Sequence, residues 1–229
     1  MLLVRAADIP EYVQDGVVDC GITGLDLVRE RGARVSELLE LGFGSCRLEA
    51  AVPEESSVES PADLVGATVA TVYPRLTREL LTGPVELVDV TGSVELAPRL
   101  GLADAIVDLV SSGNTLRTNG LRSVGVLLES QAVLVAGDED RAEPFAAMLR
   151  AVVDARRHRY LMLNAPESAL PEICALVAPR APSVLPLAEA GSVAIHVLVP
   201  ADELWLLLPK LELAGGSSIL IVPVERMAA

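Results

Sequence analysis

Ala103-Asp104-Ala105-Ile106-Val107-Asp108-Leu109-Val110-Ser111-Ser112-Gly113-Asn114-Thr115-Leu116 reads as a strand, a tight polar turn and the start of a helix. The apolar run 105–109 has strand length, and the small residues after it mark the point where the chain leaves a sheet. Side chains alternate faces along a strand, so Asp104 and Asp108 project from the same side and flank Ile106. Two carboxylates then precede a loop whose glycine and small side chains let backbone N–H groups approach a phosphate, with the Ser111, Ser112 and Thr115 hydroxyls as further donors. The carboxylates suit ribose hydroxyls or a magnesium ion. Taken alone, the segment is either a sugar-phosphate site or a polar strand end with an ordinary loop. The paired acids ahead of the loop favour the site.

The same alternation of strand and helix runs outward in both directions. Asp8 with Glu11 three positions later marks a helix start, and Ile9, Tyr12 and Val13 share one face of the helix that Asp15-Gly16 ends. A strand at 17–22 and a Thr23-Gly24 turn lead into a helix at 26–31. Further strands are expected at 48–52, 68–72, 85–90, 105–109 and 132–136, with helical segments at 76–81 and 93–100 and loops marked by Pro53, Pro61, Gly83-Pro84 and Gly92. Such alternation predicts a mostly parallel, doubly wound sheet. Phe145, Met148, Leu149 and Val152 then outline an amphipathic helix ending at the basic cluster 156–159, read as a solvated helix end and a boundary. Beyond it the order is strand 160–163, helix (Leu170, Ile173, Cys174, Val177), strands 183–187 and 193–199, helix (Leu204, Leu207, Leu208, Leu211) and strand 218–222. That βαββαβ order is ferredoxin-like, with Pro209 expected to kink its second helix.

Composition narrows the partners. The chain has 229 residues, 18 basic and 32 acidic, for a formal charge of −14. A polyanion is bound mainly through Lys and Arg, so a nucleic-acid partner is not expected, whereas small anions held locally remain open. The longest uncharged stretches, 190–201 and 213–224, fall short of the roughly 20 apolar residues that span a bilayer. Met1-Leu2-Leu3-Val4 runs into Arg5 and Asp8 without the pattern of an export signal, so the reading is cytoplasmic. Cys20, Cys46 and Cys174 are odd in number and far apart, and His158 and His196 are the only histidines, which argues against a disulfide framework or a zinc site. His196 reads as a half-buried structural residue, Trp205 as core or subunit contact, and Gly215-Gly216 as a helix cap.

An acid pair followed by a Ser/Thr-Gly loop is how phosphoribosyltransferases hold phosphoribosyl pyrophosphate. The longer run Glu95-Leu96-Ala97-Pro98-Arg99-Leu100-Gly101-Leu102 leading into the opening stretch resembles the signature of the ATP phosphoribosyltransferase family, the first enzyme of histidine biosynthesis. Asp8-Ile9-Pro10, Gly21-Ile22-Thr23-Gly24 with Asp26, Leu41-Gly42-Phe43-Gly44, and Tyr73-Pro74 with Leu76-Thr77-Arg78 follow in the family's order. Tyr160-Leu161-Met162-Leu163-Asn164-Ala165-Pro166, Pro186-Leu187 and the segment 219–227 resemble the regulatory domain of its long form.

The resemblance implies a periplasmic-binding-protein type II-like two-domain catalytic body plus a C-terminal ferredoxin-like regulatory domain. The expected bounds are 1–46 with 137–157 for the first catalytic domain, 47–136 for the second, and 158–229 for the regulatory domain. It implies that adenine N1 of ATP attacks the phosphoribosyl C1 with inversion as pyrophosphate leaves, magnesium riding on the diphosphate, and that histidine inhibits. Ser111, Ser112, Gly113, Asn114 and Thr115 would hold the 5′-phosphate, Asp104 and Asp108 the ribose, and Glu95 would support them. Gly21, Thr23, Gly24, Tyr73, Arg75 and Arg78 are the candidates around ATP and the diphosphate, and Ser183 and Ser217 those for histidine. A homo-oligomer, hexamer or dimer, is also implied.

One departure stands out: no strand and helix carrying the family's Pro-Asn-Lys-Gly-like element precede Met1-Leu2-Leu3-Val4-Arg5. The first domain should therefore leave an apolar sheet face exposed. The departure has two explanations, a start that lies upstream of Met1 or a shortened paralogue that binds phosphoribosyl groups or nucleotides with impaired turnover, and a periplasmic solute-binding protein stays open as a third reading.

Overall fold

Runs of Val, Ile, Leu and Ala build the sheets, in a computed structural model that describes residues 1–111 and 113–227. The chain divides into two compact units, Met1–Ala146 and Ala147–Ala229.

In the first unit, α1 (Ile9–Gln14), β1 (Cys20–Gly24), α2 (Leu25–Arg31) and β2 (Ser36–Glu40) open one lobe. The chain crosses on β3 (Cys46–Pro53) into β4 (Thr68–Thr71), α3 (Pro74–Leu80), β5 (Glu86–Asp89), β6 (Ala105–Val110), α4 (Asn114–Thr118) and β7 (Leu121–Ser130). It then returns to β8 (Ala132–Ala136), from which α5 (Glu139–Arg156) departs. Among the described residues the first lobe's sheet has the order β1-β8-β2 and is antiparallel throughout. Its centre is β8, Ala-Val-Leu-Val-Ala, buried at every position. Val133 and Val135 pack with Val13 of α1 and Val28 of α2. The expected bounds put 132–136 in the second domain; its ladders to β1 and β2 show that the chain has returned by Gln131. The predicted bare face is partial: Ile22 is 38% exposed, but its cross-strand neighbour Leu134 is fully buried.

The second lobe's sheet runs β5-β4-β6-β3-β7. β4 is parallel to β5 and β6, but β3 is antiparallel to β6 and β7. The sheet is therefore mixed, and the expectation of a mostly parallel one is corrected. β3 alone runs against the other strands, because β7, antiparallel to β3, runs in the direction of β4, β5 and β6. One face buries Leu48, Ala50, Val52, Val69, Ala105 and Val107 with Leu64, Leu76 and Tyr73. The other buries Ala51, Ala70, Ile106 and Val110 with Val94, Ala97, Leu116 and Leu121. Each such Leu or Val contributes about 1.5–3 kcal/mol by leaving water. The expected helix 93–100 begins as the 3-10 turn Val94–Leu96.

The second unit runs β9 (His158–Pro166), α6 (Leu170–Val177), β10 (Ser183–Pro186), β11 (Ser192–Pro200), α7 (Leu204–Leu213) and β12 (Ser217–Pro223). Its antiparallel order β10-β11-β9-β12 is that of the expected ferredoxin-like domain. Leu161, Leu163 and Ala165 alternate inward along β9 and meet Ile195, Val197 and Val199 of β11 beneath Ile173, Val177, Leu207 and Leu211. Pro209 lies inside α7. Trp205 is 75% exposed, which excludes the core reading.

Candidate active site

β6 ends at Val110, and the turn after it lies at the C-terminal edge of the parallel β4–β6 pair, where open α/β sheets bind ligands. Gly113 follows with φ +72, a left-handed conformation that strains any residue bearing a Cβ. The Thr118 hydroxyl donates to the Asn114 carbonyl at 2.8 Å, and the Asn119 amide to the Thr115 carbonyl at 2.9 Å. Arg117 donates to the Asn114 side chain. Ser111, Asn114 and Thr115 are exposed, and the Ser111 and Thr115 hydroxyls have no partner among the described residues. Ser112 lies outside the described residues.

Asp108 is half-buried at the root of this loop. Burial pushes its carboxyl above the ordinary carboxylate range; Glu95 adds to the shift, while the Leu109 N–H, donating at 2.8 Å, opposes it. Glu95 stands on the 3-10 turn Val94–Leu96, whose Val94 packs with Ile106 and Val110 on the face of β6 that Asp108 shares. Asp104 lies apart. Its Oδ2 accepts from the Thr68 N–H at 2.9 Å, and its own N–H donates to the Thr68 carbonyl at 2.8 Å. That pins Asp104 at the N-terminal edge of β4 and β6, four residues and about 13 Å along the strand from Asp108. Sharing a face does not bring two side chains to one ribose at that spacing, so the paired role expected for Asp104 is corrected.

The candidates around ATP fall at the seam between the lobes. Tyr73 is buried, and its hydroxyl donates to Asp26 Oδ2 of α2 at 3.0 Å. Asp26 Oδ1 accepts from the Ser130 hydroxyl at 2.7 Å, whose oxygen accepts from the Asp26 N–H at 3.0 Å. Burial, followed by Asp26, raises the Tyr73 phenol far above its ordinary range. Glu30, one turn along α2, accepts from the Arg75 and Leu76 N–H groups at 2.9 Å each, closing the first turn of α3. The Arg75 guanidinium lies where a Cβ on Gly32 would stand, and it also pairs with Glu79 at 2.7 Å. Arg78 is exposed. Gly21 and Gly24 serve packing: a Cβ would meet Ile9 at the first and the Asp26 carboxylate at the second. The Thr23 hydroxyl is used internally, donating to the Ala6 carbonyl at 2.7 Å.

A cleft of about 520 Å³ opens beside this seam, lined by Leu25, Glu40, Cys46, Arg47, Ser111 and Ser130, among others. Arg47, Asp26, Glu30 and Ser130 were not among the sequence candidates. Asp26 stands within a motif of the sequence, but its partner Ser130 is 104 positions away. Among the described residues no three His, Cys, Asp or Glu side chains are grouped so as to hold a metal ion. Cys20, Cys46 and Cys174 are free.

In the second unit Ser183 starts β10 and Ser217 starts β12. These strands are the two edges of the sheet, three spacings or about 14 Å apart, so the pair does not converge on one ligand. The Ser217 hydroxyl donates to the Asn164 carbonyl at 3.2 Å. His196 meets Tyr160 edge to face at 5.8 Å, a packing role as expected.

The sequence profile of ATP phosphoribosyltransferase matches residues 5–155, and that of the HisG C-terminal domain matches residues 155–226. The chain belongs to the ATP phosphoribosyltransferase family. It is 44% identical over 236 residues to the ATP phosphoribosyltransferase of Halobacterium salinarum, covering 99% of this chain and 84% of that one. It is 41% identical over 241 residues to that of Methanosarcina mazei, covering 99% and 83%. Among solved structures, the ATP phosphoribosyl transferase (HisG:HisZ) complex from Thermotoga maritima matches with a TM-score of 0.59 and 26% identity, over 67% of this chain and 79% of that one. The chain is thus an enzyme of the long form of this transferase family, with a two-lobed first unit followed by the HisG C-terminal domain. Among the described residues no helix of this family member is long and apolar enough to cross a membrane.

Proposed function

We propose that this chain joins phosphoribosyl pyrophosphate to ATP, forming phosphoribosyl-ATP and pyrophosphate as the first step of histidine biosynthesis. The observation that carries the reading is the exposed loop after β6, with Gly113 in left-handed backbone and the half-buried Asp108 at its root. Family membership supports the same reaction.

The chemistry follows from that geometry. Ser111, Gly113, Asn114 and Thr115 donate to the 5′-phosphate, with Ser112 assigned from sequence alone. Asp108 and Glu95 accept from the ribose hydroxyls, fixing C1 toward the cleft. Their negative charge also stabilises the oxocarbenium-like centre that forms as the C1–oxygen bond to pyrophosphate breaks and the bond to adenine N1 forms. Arg75 and Arg78 supply positive charge for the nucleotide phosphates; Tyr73, Gly21, Thr23 and Gly24 shape the seam against which ATP lies. Magnesium, when bound, screens the diphosphate and enters with it. Histidine is the proposed inhibitor, acting through the second unit, with Ser183 and Ser217 on separate edges of its sheet. Homo-oligomers and a cytoplasmic location complete the proposal.

Mass spectrometry of the product tests it. ATP, phosphoribosyl pyrophosphate and magnesium should yield an adduct carrying the phosphoribosyl group on adenine N1, and histidine should suppress its formation. Binding of both substrates without adduct would support the impaired paralogue instead.

A further inference from the structure

The carboxylates Asp108 and Glu95 create a difficulty for the substrate they are proposed to hold. Phosphoribosyl pyrophosphate is a polyanion, and the adjoining cleft is lined by the acids Glu40 and Glu129. Among the described residues lining that cleft, Arg47 is the one cation.

Three features of Arg47 are specific. It lies on β3 directly opposite Val110 of β6, so it faces the point where the Ser111 loop begins. Its Nε lies 2.9 Å from Glu49 Oε1, two residues along the same face. Its side chain is 48% exposed, and Nη1 and Nη2 have no partner among the described residues. The guanidinium is thus paired by charge with the Glu49 carboxylate, without an aligned hydrogen bond to Oε1, and lines the cleft with its remaining N–H groups unpaired among the described residues, a group suited to a phosphate.

Glu49 makes sense only in that light. It is buried and lies directly opposite Asp108 in the β3–β6 ladder. Like charges at opposed positions are destabilising, and a buried carboxylate costs several kcal/mol unless a cation compensates it. Arg47 is that cation.

We propose that Arg47 binds a phosphate group of phosphoribosyl pyrophosphate and that Glu49 is the positioning residue that aims it. This rests on the proposed reaction and adds a residue to it. Arg47 sits between the acidic ribose subsite and the loop, where a cation is needed for a polyanion to approach the carboxylates.

Calorimetric titration of the full chain with phosphoribosyl pyrophosphate, ribose 5-phosphate and inorganic pyrophosphate tests this. Arg47→Gln should weaken phosphoribosyl pyrophosphate binding about tenfold to a hundredfold, the effect of one charge-assisted contact. A matching loss for ribose 5-phosphate assigns Arg47 to the 5′-phosphate; a loss for pyrophosphate assigns it to the diphosphate. Glu49→Gln should raise KM for phosphoribosyl pyrophosphate about threefold to tenfold with kcat held, by losing part of that same contact. The Arg47→Gln/Glu49→Gln double variant should bind no more weakly than Arg47→Gln alone, because Glu49 acts through Arg47. Unchanged affinity for all three ligands in folded Arg47→Gln overturns the proposal. If that variant does not fold, the Arg47→Gln/Glu49→Gln double variant, which leaves no buried carboxylate uncompensated, takes its place, and unchanged affinity there overturns it equally. A wild-type chain that binds these ligands but forms no adduct overturns the reaction, while the same titrations still decide the role of Arg47.

Discussion

The Tyr73 hydroxyl donates to Asp26 Oδ2 at 3.0 Å, joining the two lobes of the first unit through a buried contact. Tyr73 follows β4 of one lobe, and Asp26 lies on α2 of the other. With Ser130 bonded to Asp26 Oδ1 and Glu30 capping α3, α2 is fastened to the second lobe by side chains rather than by a sheet.

Tyr73→Phe leaves Asp26 Oδ2 without its donor in a buried place. The expected loss is about 1–3 kcal/mol in denaturant unfolding, the cost of an unsatisfied buried acceptor. Unchanged stability would mean that water replaces the hydroxyl.

Asp108 and Asp104 should behave differently. Asp108→Asn removes a charged acceptor beside the loop and should weaken phosphoribosyl pyrophosphate binding about tenfold to a hundredfold. Asp104→Asn should leave that affinity unchanged and lower stability by about 1 kcal/mol, through the weakened bond from the Thr68 N–H. Comparable weakening of binding by both would contradict the separation of these residues.

The raised Asp108 carboxyl gives two pH effects of known sign. Ionisation is harder in the folded chain than in the unfolded one, so at this group the folded state holds its proton to higher pH. Its stabilising contribution is complete below the unfolded carboxylate range and is lost as pH rises through the folded value. Asp108→Asn should therefore raise Tm at neutral pH relative to wild type, with the advantage shrinking toward acid. Because the ionised form accepts from ribose, the acid limb of kcat/KM for phosphoribosyl pyrophosphate should lie above the ordinary carboxylate range and vanish in the variant.

Gly113→Ala places a Cβ at φ +72, where nothing stands within 4 Å. The cost is conformational, about 1–2 kcal/mol for the left-handed backbone. It should appear as weaker binding of ribose 5-phosphate. A variant that binds as wild type would show that the loop works without this turn.

Much of the fold was legible because strands such as β6, β8 and β9 carry long apolar or alternating runs. β7 was not, since Arg122, Ser123, Gly125 and Glu129 interrupt the pattern and its stability comes from pairing with β3. Gly125 is required there because the ring of Pro61 occupies the space of a Cβ, 2.7 Å from Cγ, a constraint invisible locally. The loop and Asp108 were legible because they are contiguous. Asp104 misled because alternation gives the face of a strand and not the distance along it. Arg47 fell just outside the strand predicted at 48–52, and its meaning depends on Val110 and Ser111, more than 60 positions away.

The central claim is that Asp108, Glu95 and the loop after β6 carry phosphoribosyl transfer to ATP. Pyrophosphate release by the purified chain, followed with both substrates and magnesium, tests it most directly. Release that requires both substrates together and is nearly abolished in folded Asp108→Asn is the expected result. No release from wild type that still binds both substrates, or undiminished release from Asp108→Asn, would contradict it.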